Sequence, residues 1–266
     1  MRIEKHFLRE EVVNGFVPSV TLYLLDRVES PLLRPMVIIC PGGGYVMKAE
    51  NWEGERIAVE YNRAGFNAAV LDYSVYPTHH PQPLYDAMAA IAFIRNNALS
   101  WQSDPEKIVV LGFSAGGHLA ASLSTLWHKY GKGDRVYRPD ATILCYPVIT
   151  TGEYAHKDSI RNLTGEDDVT SESWRELSLE NQVDENTPPT FLWHTYEDTI
   201  VPVENSLLYA SALRRNKIPF ELHIYPKGDH GLSLCTEEEL RTRSIFSRSY
   251  NWMELSIDWI SQLFGL

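Results

Sequence analysis

The pentapeptide Gly112-Phe113-Ser114-Ala115-Gly116 constrains this chain more than any other stretch, because it follows the apolar run Ile108-Val109-Val110-Leu111 without a break. A run of that kind reads as a buried strand. Gly117-His118-Leu119-Ala120-Ala121-Ser122-Leu123, next along the chain, reads as a helix that buries Leu119 and Leu123 one turn apart. Strand, sharp turn and helix together make a nucleophile elbow: the backbone reverses so tightly that the neighbours must lack bulk, and the serine hydroxyl is pushed out at the top of the sheet. A glycine-rich strand-to-helix turn can instead cradle phosphate. Neither a Gly-Lys-Ser/Thr ending nor a Gly-x-Gly-x-x-Gly pattern occurs at the elbow, which weighs against that reading.

From residue 36 onward apolar runs alternate with helical patterns, which predicts βα units and a largely parallel sheet. Beside the elbow strand, residues 37–40, 66–73, 141–145, 190–193 and 220–225 read as strands, with 20–25 as an antiparallel strand at the edge. Helices are predicted over 53–63, 83–99, 205–215 and, as a closing amphipathic helix, 250–264; in the second of these Leu84, Met88, Ile91 and Ile94 recur at helical spacing. Residues 149–188 break the rhythm and read as an insertion over the site, with a short helix around 171–177; a plain solvated connection is the alternative. A length of 266 residues suits one α/β domain over 1–266.

The formal net charge of −11 argues against nucleic acid and anionic membrane surfaces as partners, since both need a basic face, and disfavours a strongly anionic substrate. Cys40, Cys145 and Cys235 form no metal-ligand spacing, and the first two lie in apolar runs. An odd number of cysteines, with no leader pattern in Met1-Arg2-Ile3-Glu4-Lys5-His6, predicts a reducing, cytoplasmic setting unless a signal peptide has been removed. No stretch approaches the ~20 consecutive apolar residues of a membrane span. No metal and no cofactor are expected.

A serine hydroxyl is a poor nucleophile at neutral pH, so Ser114 needs a histidine base and a carboxylate that orients it. In the fold that carries such an elbow the order along the chain is Ser, acid, His. His230, in Gly228-Asp229-His230-Gly231, follows the strand ending near Tyr225; Asp198, in Glu197-Asp198-Thr199-Ile200-Val201-Pro202, follows the strand 190–193. Among rival histidines, His118 sits too close to the elbow, His194 ends the strand that already supplies the acid and reads as structural, and His79 and His80 precede the elbow. Glu197 and Asp229 are the rival acids, and Asp229 is poorly placed because neighbouring side chains in an extended loop point apart. Oxyanion donors are expected from the Ala115 N–H and from Gly42-Gly43-Gly44, with Gly43 and Gly44 as the candidates.

With these residues assembled, the chain resembles an α/β-hydrolase, and within that superfamily the esterase/lipase group of hormone-sensitive-lipase-like and bacterial acetyl-xylan esterase-like enzymes. The resemblance runs from about residue 36 to 230. It is carried by Pro41-Gly42-Gly43-Gly44-Tyr45, Leu71-Asp72-Tyr73, Pro83 with Asp86, Gly112 to Gly117, Pro188-Pro189-Thr190-Phe191 with Asp198, and Gly228 to Gly231. It implies a mostly parallel sheet flanked by helices, and carboxylic-ester hydrolysis through a Ser114–His230–Asp198 acyl-enzyme mechanism. Two departures matter. Pro41 stands where the group usually has histidine, which removes a side chain that helps hold the glycine loop, and the long N-terminal helical cap is missing, which points to short acyl groups.

The branch implies acetyl esters of xylan-derived sugars, with feruloyl esters second. Tyr45, Tyr76 and Trp252 are candidates to stack on sugar or phenolic rings, with a core position as the alternative for each. An amide or peptide hydrolase of the arylformamidase or dipeptidyl-peptidase kind shares this triad, and a ligand-binding protein on a retired hydrolase fold is the reading from outside the enzymes. The implied partner is a small-molecule or oligosaccharide ester, and a homodimer is the candidate assembly.

Overall fold

In a computed structural model of the chain, which describes residues 1–29, 31–236 and 251–266, the apolar runs line up in one eight-stranded sheet. Its strands are β1 (Arg2–Phe7), β2 (Ser19–Leu24), β3 (Arg34–Cys40), β4 (Asn67–Asp72), β5 (Ser103–Phe113), β6 (Ala141–Cys145), β7 (Thr190–Thr195) and β8 (Phe220–Tyr225), in the spatial order β1-β2-β4-β3-β5-β6-β7-β8. All pairings from β4 through β8 are parallel, whereas β1 pairs with β2 and β2 with β4 in the antiparallel sense. The parallel strands β3, β6 and β7 are buried almost end to end, which is why they read as unbroken apolar runs.

One expectation is corrected here. The strand near residues 20–25 is internal, and the edge belongs to β1, whose sequence RIEKHF is half-exposed or exposed throughout. A strand wetted on both faces needs no apolar alternation, so it left no pattern to read.

The described helices are α1 (Glu50–Glu53), α2 (Glu55–Arg63), α3 (Gln82–Asn97), α4 (Ser114–Tyr130), α5 (Lys157–Thr164), α6 (Glu172–Glu176), α7 (Glu204–Arg215) and α8 (Trp252–Phe264). The predicted helix over 53–63 is in fact two, broken where Gly54 takes φ −114° and ψ −101°. The predicted start of the last helix at residue 250 lies outside the described residues. None of the described residues before Glu50 is helical.

Successive strand residues face opposite sides of the sheet, and the core divides accordingly. Ile38, Val110, Leu144 and Leu192 pack against α3, α4 and α7, while Val37, Ile39, Val109, Ile143 and Phe191 pack against α2 and α8. Residues 149–188 contain α5, α6 and a 3₁₀ turn at Leu179–Asn181. The side chain of Ser171 caps α6 by accepting the Trp174 N–H at 3.3 Å, and Trp174 is buried with Val148, Ile160 and Val201. The segment is packed onto the rest of the domain, since Val148 and Val201 lie outside it and its Ile149, Leu163, Leu177, Leu179 and Val183 join the core that includes α3 and α4. Because β3 through β8 are parallel, their carboxyl ends share one edge of the sheet, where open α/β folds place their ligand sites.

Candidate active site

The central strand β5, flanked by β3 and β6, ends at Phe113 and hands the chain to α4 at Ser114. Ser114 has φ +52°, a left-handed conformation that costs a non-glycine residue about 1–3 kcal/mol and persists only where the surroundings enforce it. The surroundings are tight. A Cβ on Gly112 would stand 2.1 Å from the Gly116 carbonyl oxygen, and one on Gly116 would stand 2.1 Å from the Cys40 oxygen and 2.4 Å from that of Pro41. Glycine at 112 lets the strand end close against the first turn of α4, and glycine at 116 lets that turn touch the end of β3.

At this elbow the structure brings together three residues far apart in sequence. His230 Nε2 lies 2.7 Å from Ser114 Oγ, and His230 Nδ1 lies 2.6 Å from Asp198 Oδ2. With Nδ1–H donating to the carboxylate, Nε2 is left to accept the serine O–H. Asp198 is almost fully buried, and its Oδ1 accepts the N–H groups of Ile200 at 3.0 Å and Val201 at 2.9 Å. Burial works to raise the Asp198 carboxyl, but hydrogen bonds from His194 and His230, the charge of His230 and the Val201 N–H outweigh it and hold the group below the usual carboxylate range.

The rivals lie elsewhere or serve otherwise. Glu197 reaches outward to Lys227, 2.5 Å away. His118 is buried on α4, where Nε2–H donates to the Leu177 carbonyl at 3.0 Å and Nδ1 accepts the Tyr45 O–H at 3.0 Å. Burial pushes its imidazole down to about 4. His79 Nδ1 is 3.1 Å from the Asn162 oxygen, whereas the His80 ring places Nε2 2.8 Å from the Tyr130 hydroxyl and only its backbone N–H reaches residues 149–188, at the Leu163 oxygen. His194, read from sequence as structural, also touches the acid. Its Nε2–H lies between the Val201 oxygen at 2.9 Å and Asp198 Oδ2 at 3.3 Å, while Nδ1 accepts the Ser206 hydroxyl at 2.8 Å.

The glycine loop after β3 is held without the histidine that Pro41 replaces. The Tyr73 O–H donates to the Pro41 carbonyl at 2.6 Å, the Gly42 N–H to Glu53 Oε2 at 2.7 Å, and Asn162 Nδ2 to the Gly44 carbonyl at 2.8 Å. The Gly42 and Gly43 carbonyls turn back to accept the N–H groups of Ala49 and Met47. Gly43 has φ +132°, and a Cβ there would meet the Met47 oxygen at 2.2 Å. The Gly43 and Gly44 N–H groups are not bonded to other described residues, and the Ala115 N–H lies in the first turn of α4, where such groups have no intrahelical partner. Sequence reading missed Tyr73, Glu53 and Asn162 in this role, because nothing in their spacing marks them and only the fold brings them to the loop.

Of the three aromatic residues considered for ring stacking, two are in the core. Trp252 is fully buried, stacked on Trp193 with centroids 5.3 Å apart, and its Nε1–H donates to the Ser233 carbonyl at 2.9 Å. Tyr45 is equally buried and spends its hydroxyl on His118. Both occupy the core because each finds an internal acceptor for its polar tip. Tyr76 is 57 % exposed, and its N–H donates to the Tyr45 carbonyl at 2.8 Å, which places it beside the glycine loop. His156, ahead of α5, has its imidazole pushed down by burial and by the charge of nearby His230.

Among the described residues no group of three or more His, Cys, Asp or Glu side chains is arranged to hold a metal ion, and no helix is long and apolar enough to cross a membrane. All three cysteine side chains are buried, and burial pushes the Cys145 thiol up and that of Cys40 up to about 12, which leaves these two poor nucleophiles.

Residues 21–213 match the BD-FAE family. The chain is 44 % identical over 237 residues to an endo-1,4-β-xylanase B of Butyrivibrio fibrisolvens, covering 86 % of this chain and 36 % of that protein. It is 33 % identical over 212 residues to an acetylxylan esterase of Xylanibacter ruminicola, covering 78 % and 43 %. It thus spans well under half the length of these two curated relatives. Among solved structures, an acetyl ester-xyloside bifunctional hydrolase from Caldicellulosiruptor lactoaceticus matches with a TM-score of 0.84 at 40 % identity, over 98 % of this chain and 96 % of that one.

Proposed function

The chain belongs to the BD-FAE family of α/β-hydrolase esterases, and from that premise we propose that it hydrolyses short-chain acyl esters, foremost acetyl esters of xylan-derived carbohydrates, through an acyl-enzyme on Ser114. The observation that carries the proposal is the continuous path of hydrogen bonds from Asp198 through His230 to Ser114 Oγ. Ser114 Oγ attacks the ester carbonyl while His230 Nε2 takes its proton. The oxygen that becomes negative accepts the N–H groups of Gly43, Gly44 and Ala115, each such donor being worth roughly 2.7–4 kcal/mol of transition-state stabilisation in comparable sites. His230 then protonates the departing alcohol, and water repeats the sequence on the acyl-enzyme. Asp198 holds the imidazole in the tautomer that can accept, and stabilises the imidazolium.

The acetyl and xylan parts of the proposal draw on the names of the relatives. Acetate release from acetylated xylo-oligosaccharides, set against ferulate release from methyl ferulate, tests the substrate. Ser114→Ala, expected to lower kcat on the order of 10⁶-fold, tests the mechanism. A Ser114→Ala enzyme that keeps its activity would overturn the mechanism, and ferulate released in preference to acetate would overturn the substrate.

A further inference from the structure

We propose that Glu53 is a positioning residue for acyl transfer, whose buried carboxylate clamps the oxyanion loop to the shelf that carries the histidine. The proposal rests on the reading of Ser114 as nucleophile and of Gly43 and Gly44 as oxyanion donors.

Glu53 closes the single turn of α1 and is 5 % exposed. Its two oxygens go to different parts of the site. Oε2 accepts the Gly42 N–H at 2.7 Å, and Oε1 accepts the Tyr146 O–H at 2.7 Å. Tyr146 follows β6, sits at φ +37°, and its hydroxyl oxygen in turn accepts the Ser233 N–H at 2.9 Å, three residues past His230. The tyrosine ring meets the His230 ring edge-on, with centroids 5.1 Å apart and planes at 71°. One carboxylate and one phenol therefore tie together the chain leaving β3, the chain leaving β6 and the loop beyond β8.

Two consequences follow for the chemistry. The Gly42 N–H is taken up by Glu53 and points away from the substrate, which leaves Gly43 and Gly44 as the donors the loop can offer. The distance between those donors and His230 is fixed through the Glu53–Tyr146 pair rather than by the sheet alone. Charge-assisted hydrogen bonds in a dry site are strong and directional enough for that task.

The chemistry of the clamp calls for a carboxylate. Gly42 and Tyr146 are both donors, so the group between them must accept on both sides. Glutamine has nearly the same shape but offers one acceptor, and its NH₂ would face the Tyr146 hydroxyl, whose hydrogen would lose its acceptor while its oxygen is already bonded by Ser233. Glu53→Gln therefore breaks half of the clamp with little change in volume, and Tyr146→Phe breaks the same half from the other side while keeping the ring against His230.

The test compares wild type, Glu53→Gln, Tyr146→Phe and the double variant. Functional sites are counted from complete phosphonylation of Ser114 by a p-nitrophenyl phosphonate, and turnover of p-nitrophenyl acetate is expressed per titrated site. Loss of position predicts a fall in kcat of roughly 10²-fold with KM little changed, because misplacement of about 1 Å costs that much. It also predicts that an aryl trifluoromethyl ketone, to which Ser114 Oγ adds reversibly to form an oxyanion, binds more weakly by a similar factor. The double variant should lose no more than the worse single variant, since both remove one bond. A merely structural role would lower the melting temperature or the number of titratable sites and leave turnover per site and ketone affinity as they were.

Turnover per site within about twofold of wild type in Glu53→Gln, with unchanged ketone affinity, overturns the proposal; should Glu53→Gln not fold, the same result in Tyr146→Phe does so. Ser114→Ala, assayed alongside, keeps the two readings apart. Activity retained there refutes the esterase mechanism whatever Glu53 does, whereas activity lost there with normal turnover in both clamp variants refutes the clamp alone.

Discussion

Replacing Gly116 with alanine tests whether the elbow and the proposed oxyanion loop are locked together by contact. The new Cβ would stand 2.1 Å from the Cys40 oxygen and 2.4 Å from the Pro41 oxygen. Carbon and carbonyl oxygen do not ordinarily approach closer than about 3.3 Å, so roughly 1 Å of separation must open between α4 and the chain leaving β3. Both obstacles are main-chain atoms, which cannot rotate aside as a side chain would. Pro41 leads directly into the loop with Gly43 and Gly44, so the gap moves the donors relative to Ser114. A displacement of about 1 Å in such groups costs on the order of 10² in rate. Overpacking of this kind also costs about 1–3 kcal/mol of stability, and at about 2–4 °C per kcal/mol the melting temperature falls by roughly 2–12 °C.

The assay is kcat/KM for p-nitrophenyl acetate per titrated site, read beside the thermal melt. Gly133→Ala is the control: Gly133 lies beyond the far end of α4 at φ +76°, with nothing within 4 Å of a Cβ. It should lose stability through backbone strain and keep its rate. Wild-type kcat/KM in Gly116→Ala, or an equal rate loss in Gly133→Ala, refutes the reasoning.

Asp198→Asn should lower kcat on the order of 10⁴-fold by leaving His230 in the wrong tautomer, and Asp229→Asn should lower it far less; the reverse result in the same kinetic assay would reassign the acid. His118 contributes to the pH dependence of stability. Its folded pKa of about 4 lies below the ordinary 6.5, so the unfolded chain takes up the proton first, and stability falls as pH drops from about 6.5 toward 4, by on the order of 3 kcal/mol, then levels off. Denaturant melts across that window should be flatter for His118→Gln than for wild type, and identical slopes would count against the assignment. Tyr76→Ala should raise KM for acetylated xylo-oligosaccharides by roughly three- to tenfold and leave p-nitrophenyl acetate unaffected, as expected for one exposed ring stacking on a sugar. An equal effect on both substrates would place its role elsewhere.

The parallel part of the sheet was legible because burial on both faces writes itself as apolar runs, as in Val37 to Cys40 or Ala141 to Cys145. β1 was not, since a wet strand such as RIEKHF carries no such signal. Ser114, Asp198 and His230 are marked in the sequence by their order and by their position after strands, and the structure sets them within hydrogen-bonding distance. The residues that hold them are another matter. Glu53 reads as one acidic residue of a polar helix start, and Tyr146 as an aromatic after a strand. Their pairing across 93 positions of sequence is a product of the fold alone. Trp252 failed as a candidate for a related reason: an indole in an amphipathic helix looks the same in sequence whether its face meets solvent or, as here, Trp193.

The proposed nucleophile and its proposed base do not stand on equal ground. Ser114 leaves the middle of the sheet between two buried neighbours, whereas His230 hangs from β8, which with β1 ends the described sheet and none of whose residues is fully buried. Rims of sheets open at lower free energy than their centres. On warming, the proton shuttle should disconnect while the serine is still on an intact shelf, so that hydrolysis fades ahead of the sheet's dichroism. Amide exchange should run faster along β8 than along β5 in the same interval.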